Sequence, residues 1–116
     1  MTYVEGFLLA VPASKKDAYL AMAAAAAPLF KEFGATRMVE CWEDDIKDGK
    51  VTDFRMAVKA EPGEAIVFSW IEYPSKEARD AANERMRTDP RMKNMGEMPF
   101  DGMRMIFGGF SKVFDA

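Results

Sequence analysis

Apolar and polar positions along the chain fall into blocks whose period switches between two and about 3.6 residues. Residues 3–11 read as a strand, with Tyr3, Glu5, Phe7, Leu9 and Val11 on one side and Val4, Gly6, Leu8 and Ala10 on the other. Both sides are mostly apolar, so cover is expected on both. Residues 15–33 change period: Tyr19, Met22, Ala26, Leu29, Phe30 and Phe33 recur at helical spacings and form a buried stripe. Ser14 with Asp17 resembles a capping box, Pro28 predicts a kink, and Gly34 suits a left-handed stop. A second strand is predicted at 36–43, with Met38, Glu40 and Trp42 opposed in direction to Arg37, Val39, Cys41 and Glu43. The most apolar run of the chain, Ile66-Val67-Phe68-Ser69-Trp70-Ile71-Glu72-Tyr73, predicts a central strand. Ser75 then caps a helix over 76–88, and a last strand is expected over 104–114, where Gly108-Gly109 implies a bulge or a close backbone approach.

The segment 44–63 is long for a connection between strands, carries turn signals at Asp48-Gly49 and Pro62-Gly63, and has room for a short helix at 53–60. The resulting order, β-α-β, long connection, β-α-β, predicts one α+β domain spanning residues 1–116, a ferredoxin-like βαββαβ arrangement with an antiparallel sheet. Right-handed crossovers put both helices on one face. Alignment of strand parities assigns Phe7, Leu9, Met38, Trp42, Phe68, Trp70 and Phe107 to the other face, and Cys41, Val67, Ser69 and Ile71 to the helix side. An apolar face of that size calls for cover, so the expectation is a homodimer with sheets packed face to face, a dimeric α/β barrel.

Composition narrows the partners. A net charge of -3 over 116 residues, with no basic cluster, excludes a sequence-independent hold on nucleic acid or anionic lipid. No apolar run is long enough for a membrane span, Cys41 is the single cysteine, and no secretory leader is recognisable, which together predict a cytoplasmic protein. Histidine is absent, which removes His-ligated haem, His-containing zinc sites and His-dependent catalysis; no cofactor and no metal are expected. The acidic stretch Glu43, Asp44, Asp45 and Asp48 lacks EF-hand spacing and reads as a solvated loop. The methionines between Met86 and Met105 read as packing filler.

The stretches Cys41-Trp42-Glu43-Asp44-Asp45, Asp89-Pro90-Arg91-Met92 and Met98-Pro99-Phe100-Asp101-Gly102, leading into Arg104-Met105-Ile106-Phe107-Gly108-Gly109-Phe110, resemble the YbaA-like family of bacterial domains of unknown function. The resemblance runs over essentially the whole chain. It implies a dimeric α/β barrel, a superfamily similar in fold to cofactor-independent monooxygenases, haem-degrading enzymes and chlorite dismutases. It implies no catalytic residue, and the missing histidine excludes the haem-dependent branches.

Strand parity gathers Glu5, Glu40 and Glu72 with Trp42, Phe68 and Trp70 on the barrel-lining face. Burial and mutual repulsion would raise the proton affinity of such carboxyls, which suits Glu40 and Glu72 to acid–base roles. Glu5, Trp42 and Trp70 are the candidate ligand-binding residues, with Asp53 and Arg55 delivered by the long connection as a gate. Two functions fit: a small-molecule-binding protein or cofactor-independent enzyme, with oxygenase-like or proton-transfer chemistry in a site between sheet and helices or inside the barrel, and a non-catalytic homodimeric interaction module. The competing structural role is that Glu40 and Glu72 lie toward strand ends and are solvated, or pair with Arg37, Arg55 or Arg104 at the dimer seam.

Overall fold

The apolar run at 66–73 lies in β3 (Glu64–Tyr73), one of two central strands of a four-stranded sheet. The computed structural model describes residues 2–116. β1 (Tyr3–Pro12) pairs with β3 on one side and β4 (Ile106–Ser111) on the other, and β2 (Arg37–Trp42) pairs with β3 at the opposite edge. The order is β2-β3-β1-β4, with every neighbouring pair antiparallel. Two long helices, α1 (Lys16–Phe33) and α3 (Lys76–Thr88), lie over one face. Single-turn helices α2 (Phe54–Ala57) and α4 (Pro90–Lys93) punctuate the long connection and the segment after α3. Among the described residues no helix is long and apolar enough to cross a membrane.

The register decides which side chains meet the helices. Glu5 lies opposite Ile71, Phe7 opposite Ser69 and Leu9 opposite Val67, while Met38, Glu40 and Trp42 lie opposite Ile71, Ser69 and Val67. All of these share one face. It is the helix face, because Leu9, Val11 and Val67 pack with Tyr19 of α1, and Ile71 and Tyr73 pack with Phe33 of α1 and Ala82 of α3. The expected grouping therefore needs correction. Val67, Ser69 and Ile71 do face the helices, but so do Glu5, Phe7, Leu9, Met38, Glu40 and Trp42, whereas Cys41 is exposed on the far side with Phe68, Trp70 and Glu72. The physical reason is that a strand's own pattern gives two faces without saying which face of the next strand continues each, and a one-residue slip exchanges them. Both faces of β1 are apolar, so hydrophobicity alone did not break the tie.

Local chemistry explains the boundaries. Ser75 caps α3, its Oγ accepting the Ala78 N–H at 3.1 Å, and Asp53 and Asp89 cap α2 and α4 in the same way. Gly34 takes φ 126° to close α1, as expected of a left-handed stop. The capping box at Ser14 does not form: Ala13–Lys15 make a 3-10 turn that leads into α1, and its N-cap, Lys15, has no side-chain cap. β4 is shorter than its apolar pattern, since Gly102–Arg104 form a second 3-10 turn. The long connection returns over one end of the open sheet face, where Val58 packs on Ala10 and Ile66.

Gly108 and Gly109 do not form a bulge, because the β1–β4 pairing runs unbroken from Tyr3↔Ser111 to Leu8↔Ile106. Close approach is the reason for the second glycine. A Cβ on Gly109 would overlap the Tyr3 ring and hydroxyl and stand 2.6 Å from Arg79 Nη1. Gly109→Ala should consequently lower stability by about 1–3 kcal/mol, the usual cost of overpacking, as read by urea denaturation; unchanged stability would show that Tyr3 and Arg79 have room to yield.

Candidate functional site: a methionine-lined cavity between sheet and helices

The helix face of the sheet is not filled completely. Between β1, β2, β3, α1 and the segment from α4 to β4 lies a cavity of about 190 Å³. Its floor comes from alternate strand residues, Phe7, Leu9, Met38, Glu40, Ser69 and Ile71, and its roof from Tyr19, Met22, Ala23, Ala26 and Phe30 of α1. Small residues at 23 and 26 keep the helix backbone close and leave the space open. The remaining wall is Met92, Met95, Gly96, Met98, Phe100 and Met105. That wall is strapped at both ends by arginines. Arg91 binds Glu32 and Asp89, and Arg104 binds Glu64 at 2.7 Å and Asp101 at 3.1 Å. The pairing with Arg91 and its backbone N–H holds the Asp89 carboxyl down at about 2.

Polar groups in the lining are few: Glu40, Tyr19 and Ser69. Tyr19 Oη donates to Glu40 Oε1 at 2.6 Å, a distance at the strong end for a hydroxyl and a carboxylate. Burial pushes the Glu40 carboxyl above its ordinary value, and the Tyr19 hydrogen bond offsets this only in part. Burial first, and Glu40 second, push the Tyr19 hydroxyl far upward, so it stays a donor across the accessible pH range. Ser69 sits directly across from Glu40 in the β2–β3 register and is 4% exposed. Chemically, the arrangement is an apolar chamber with one acid of raised proton affinity.

The structure disperses the other sequence candidates. Glu5 faces the helices but is walled in by Arg79 at 3.0 Å and Asn83 at 3.2 Å, beside a Tyr73 hydroxyl that burial and Glu5 push up to about 12. It is a structural ion pair. Trp42 packs against Tyr19 with Lys16 over its ring, next to the cavity and not in it. Trp70 and Glu72 are on the opposite face, where Trp70 Nε1 donates to Glu72 Oε2 at 3.0 Å and Arg37 lies 3.7 Å from the same oxygen. Asp53 accepts the Gly49 and Met56 N–H groups, and those bonds hold its carboxyl below the ordinary range. Arg55 is committed to Glu43 and the Glu64 carbonyl. The proposed gate residues thus hold their own loop together, and of the three carboxylates only Glu40 reaches the cavity.

Residues that sequence reasoning passed over supply most of the site. Tyr19 was legible only as part of a buried stripe, and the methionines as filler. Their concentration after Met86 was the available signal.

The open sheet face carries a second, wider groove of about 620 Å³, lined by Val4, Leu8, Phe54, Phe68, Trp70, Ile106 and Phe110 among others. Phe68 is 50% exposed and Phe110 62%. Among the described residues no group of three or more His, Cys, Asp and Glu side chains is arranged to hold a metal ion.

An α+β protein with helices on one face of a four-stranded antiparallel sheet, and an apolar chamber between the layers, is the class that this geometry defines. The chain belongs to the family described as Protein of unknown function (DUF1428), whose model matches residues 2–102. It is 72% identical over 116 residues to the Uncharacterized protein YbaA of Escherichia coli (strain K12), with 99% of each chain covered, and equally similar to that of Shigella flexneri. Among solved structures, that of Rv0793 from Mycobacterium tuberculosis aligns with a TM-score of 0.52 over 100% of this chain and 99% of its own, at 14% identity. That likeness concerns the fold alone.

The raised proton affinity of Glu40 has a consequence for stability. The folded state holds that proton more tightly than the unfolded chain, so folding is favoured below the ordinary carboxyl range and loses this advantage as pH rises through the raised value. Glu40→Gln keeps an acceptor for Tyr19 and has no charge to desolvate. Thermal melts should show the variant gaining on the parent between pH 4 and pH 8, with the whole gain on the alkaline side; parallel curves would mean that Glu40 titrates normally.

Proposed function

We propose that the chain is a cytoplasmic homodimer of ferredoxin-like sheets packed face to face, a dimeric α/β barrel, in which each protomer binds a small, mainly apolar organic molecule between its sheet and helices, with proton transfer through Glu40, positioned by Tyr19, as the chemistry it can support. The observation that carries the binding reading is the partly open chamber with a single acidic group in an otherwise apolar and thioether lining. Pockets of this kind, concave, mostly apolar and with few convergent polar groups, are what small ligands use. An apolar cavity of about 150 Å³ accommodates benzene, so this one suits a single ring with a short substituent. A carboxyl whose proton affinity is raised by burial is better suited to act as acid or base than one in water. Flexible methionines allow the wall to adapt to a guest.

The strand order β2-β3-β1-β4 with antiparallel neighbours supports the split βαβ arrangement. The exposure of Phe68, Ile106 and Phe110 on one face supports a second sheet as its cover.

Two measurements test this reading. A thermal-shift screen of one-ring compounds should find stabilising ligands for the parent, and Ala26→Phe, which fills the chamber, should abolish the shifts while remaining folded. Equal shifts in both proteins would place binding elsewhere. Sedimentation at micromolar concentration should return twice the mass of 13.0 kDa, and Phe68→Asp should return the single mass; a monomeric parent would remove the barrel.

A further inference from the structure

Glutamates on and beside the sheet divide sharply by partner. Glu5 has Arg79 at 3.0 Å, Glu43 has Arg55, Glu64 has Arg104 at 2.7 Å, and Glu72 has Arg37 at 3.7 Å. Among the described residues Glu40 has no cation. Its one polar partner is the Tyr19 hydroxyl, no lysine or arginine lines its chamber, and only burial and Tyr19 act on its titration. Glu40 is half-buried, and a carboxylate drawn even partly out of water gains from a counter-charge.

We propose that the guest of this chamber is a hydrophobic organic cation, a primary ammonium carried on one aromatic ring by a short arm, whose charged nitrogen seats against Glu40. The proposal rests on the reading of the chamber as a ligand site and deepens it by naming the ligand class. Glu40 is held in place by the Tyr19 hydrogen bond, so an arriving ammonium meets a preorganised acceptor and forms a charge-assisted hydrogen bond. Ser69, paired across from Glu40, offers a second oxygen for an N–H of the same group. Phe7, Phe30 and Phe100 add aromatic surface, whose faces attract cations, and the thioethers add polarizable contact. An anionic guest would meet Glu40 with no compensating charge in the lining, so carboxylates are excluded by repulsion. A neutral guest fits the walls but leaves the acid without its counter-ion.

Calorimetry with three probes of matched shape tests the assignment: 2-phenylethylamine, 2-phenylethanol and phenylacetate. The parent should bind the amine about tenfold tighter than the alcohol, the equivalent of about 1.4 kcal/mol, and the acid most weakly. In Glu40→Gln, where the glutamine oxygen still accepts from Tyr19, the ratio of amine to alcohol affinity should fall toward one. If the alcohol binds as tightly as the amine, or the acid matches it, the cation assignment is overturned while the chamber remains a ligand site. If the ratio survives in Glu40→Gln, the cation is seated elsewhere and the assignment falls. If none of the three binds, the assignment and the ligand-site reading fall together.

Discussion

The pairing of β1 with β3 is the constraint on which the rest of this molecule depends. With Glu5 opposite Ile71 and Leu9 opposite Val67, one set of alternate residues is turned toward the helices and the other toward the open side. A slip by one residue would bring Phe68 and Trp70 under the helices and turn Val67, Ser69 and Ile71 outward. Polar chemistry fixes the choice where apolar patterning does not. Glu5 is buried at 4% exposure and is satisfied only because Arg79 and Asn83 of α3 reach it in this register. A buried ion pair contributes little net stability, yet losing one partner costs about 3–5 kcal/mol. It therefore acts as a selector of register more than as a source of stability. Gly109 completes the arrangement by leaving space for Tyr3 and Arg79 at the β4 edge.

From that register follow two unlike faces. The helix side buries Leu9, Val11, Val67, Ile71 and Tyr73, and at its β2 side keeps a chamber where small residues of α1 and long methionines of the returning segment fail to fill the space. Interiors are normally packed densely, so a space lined by groups able to adapt is more informative than its size alone. The open side exposes Phe68 and Phe110. Arginines secure the periphery of both faces, and Glu40 is the acid on the sheet that they leave alone.

Kinship with the DUF1428 family and likeness in fold to Rv0793 set the architecture in context without assigning chemistry. Chemistry belongs to the site, and folds of this kind carry many. Tyr19 and Glu40 are separated by 21 positions in sequence and joined only where α1 crosses β2.

Local patterns were enough to locate the strands, the two long helices, the Ser75 cap and the Gly34 stop, because each is governed by residues within a few positions of one another. They were also enough to name Glu40 as a carboxyl of interest. What they left open was relational. Whether Met38, Glu40 and Trp42 continue the face of Val67, Ser69 and Ile71 or that of Phe68 and Trp70 depends on hydrogen bonds between residues far apart in sequence, such as Glu40 and Ser69, and no local signal carries that information. The same holds for the methionines, whose unbranched side chains fill a core or line a chamber according to what stands opposite them. The sequence by itself determined the elements and the inventory of acids, rings and thioethers. Only the tertiary structure decided which acid received an arginine and which was left facing an apolar chamber, because that outcome is set by long-range register and by where α1 and the returning segment come to rest.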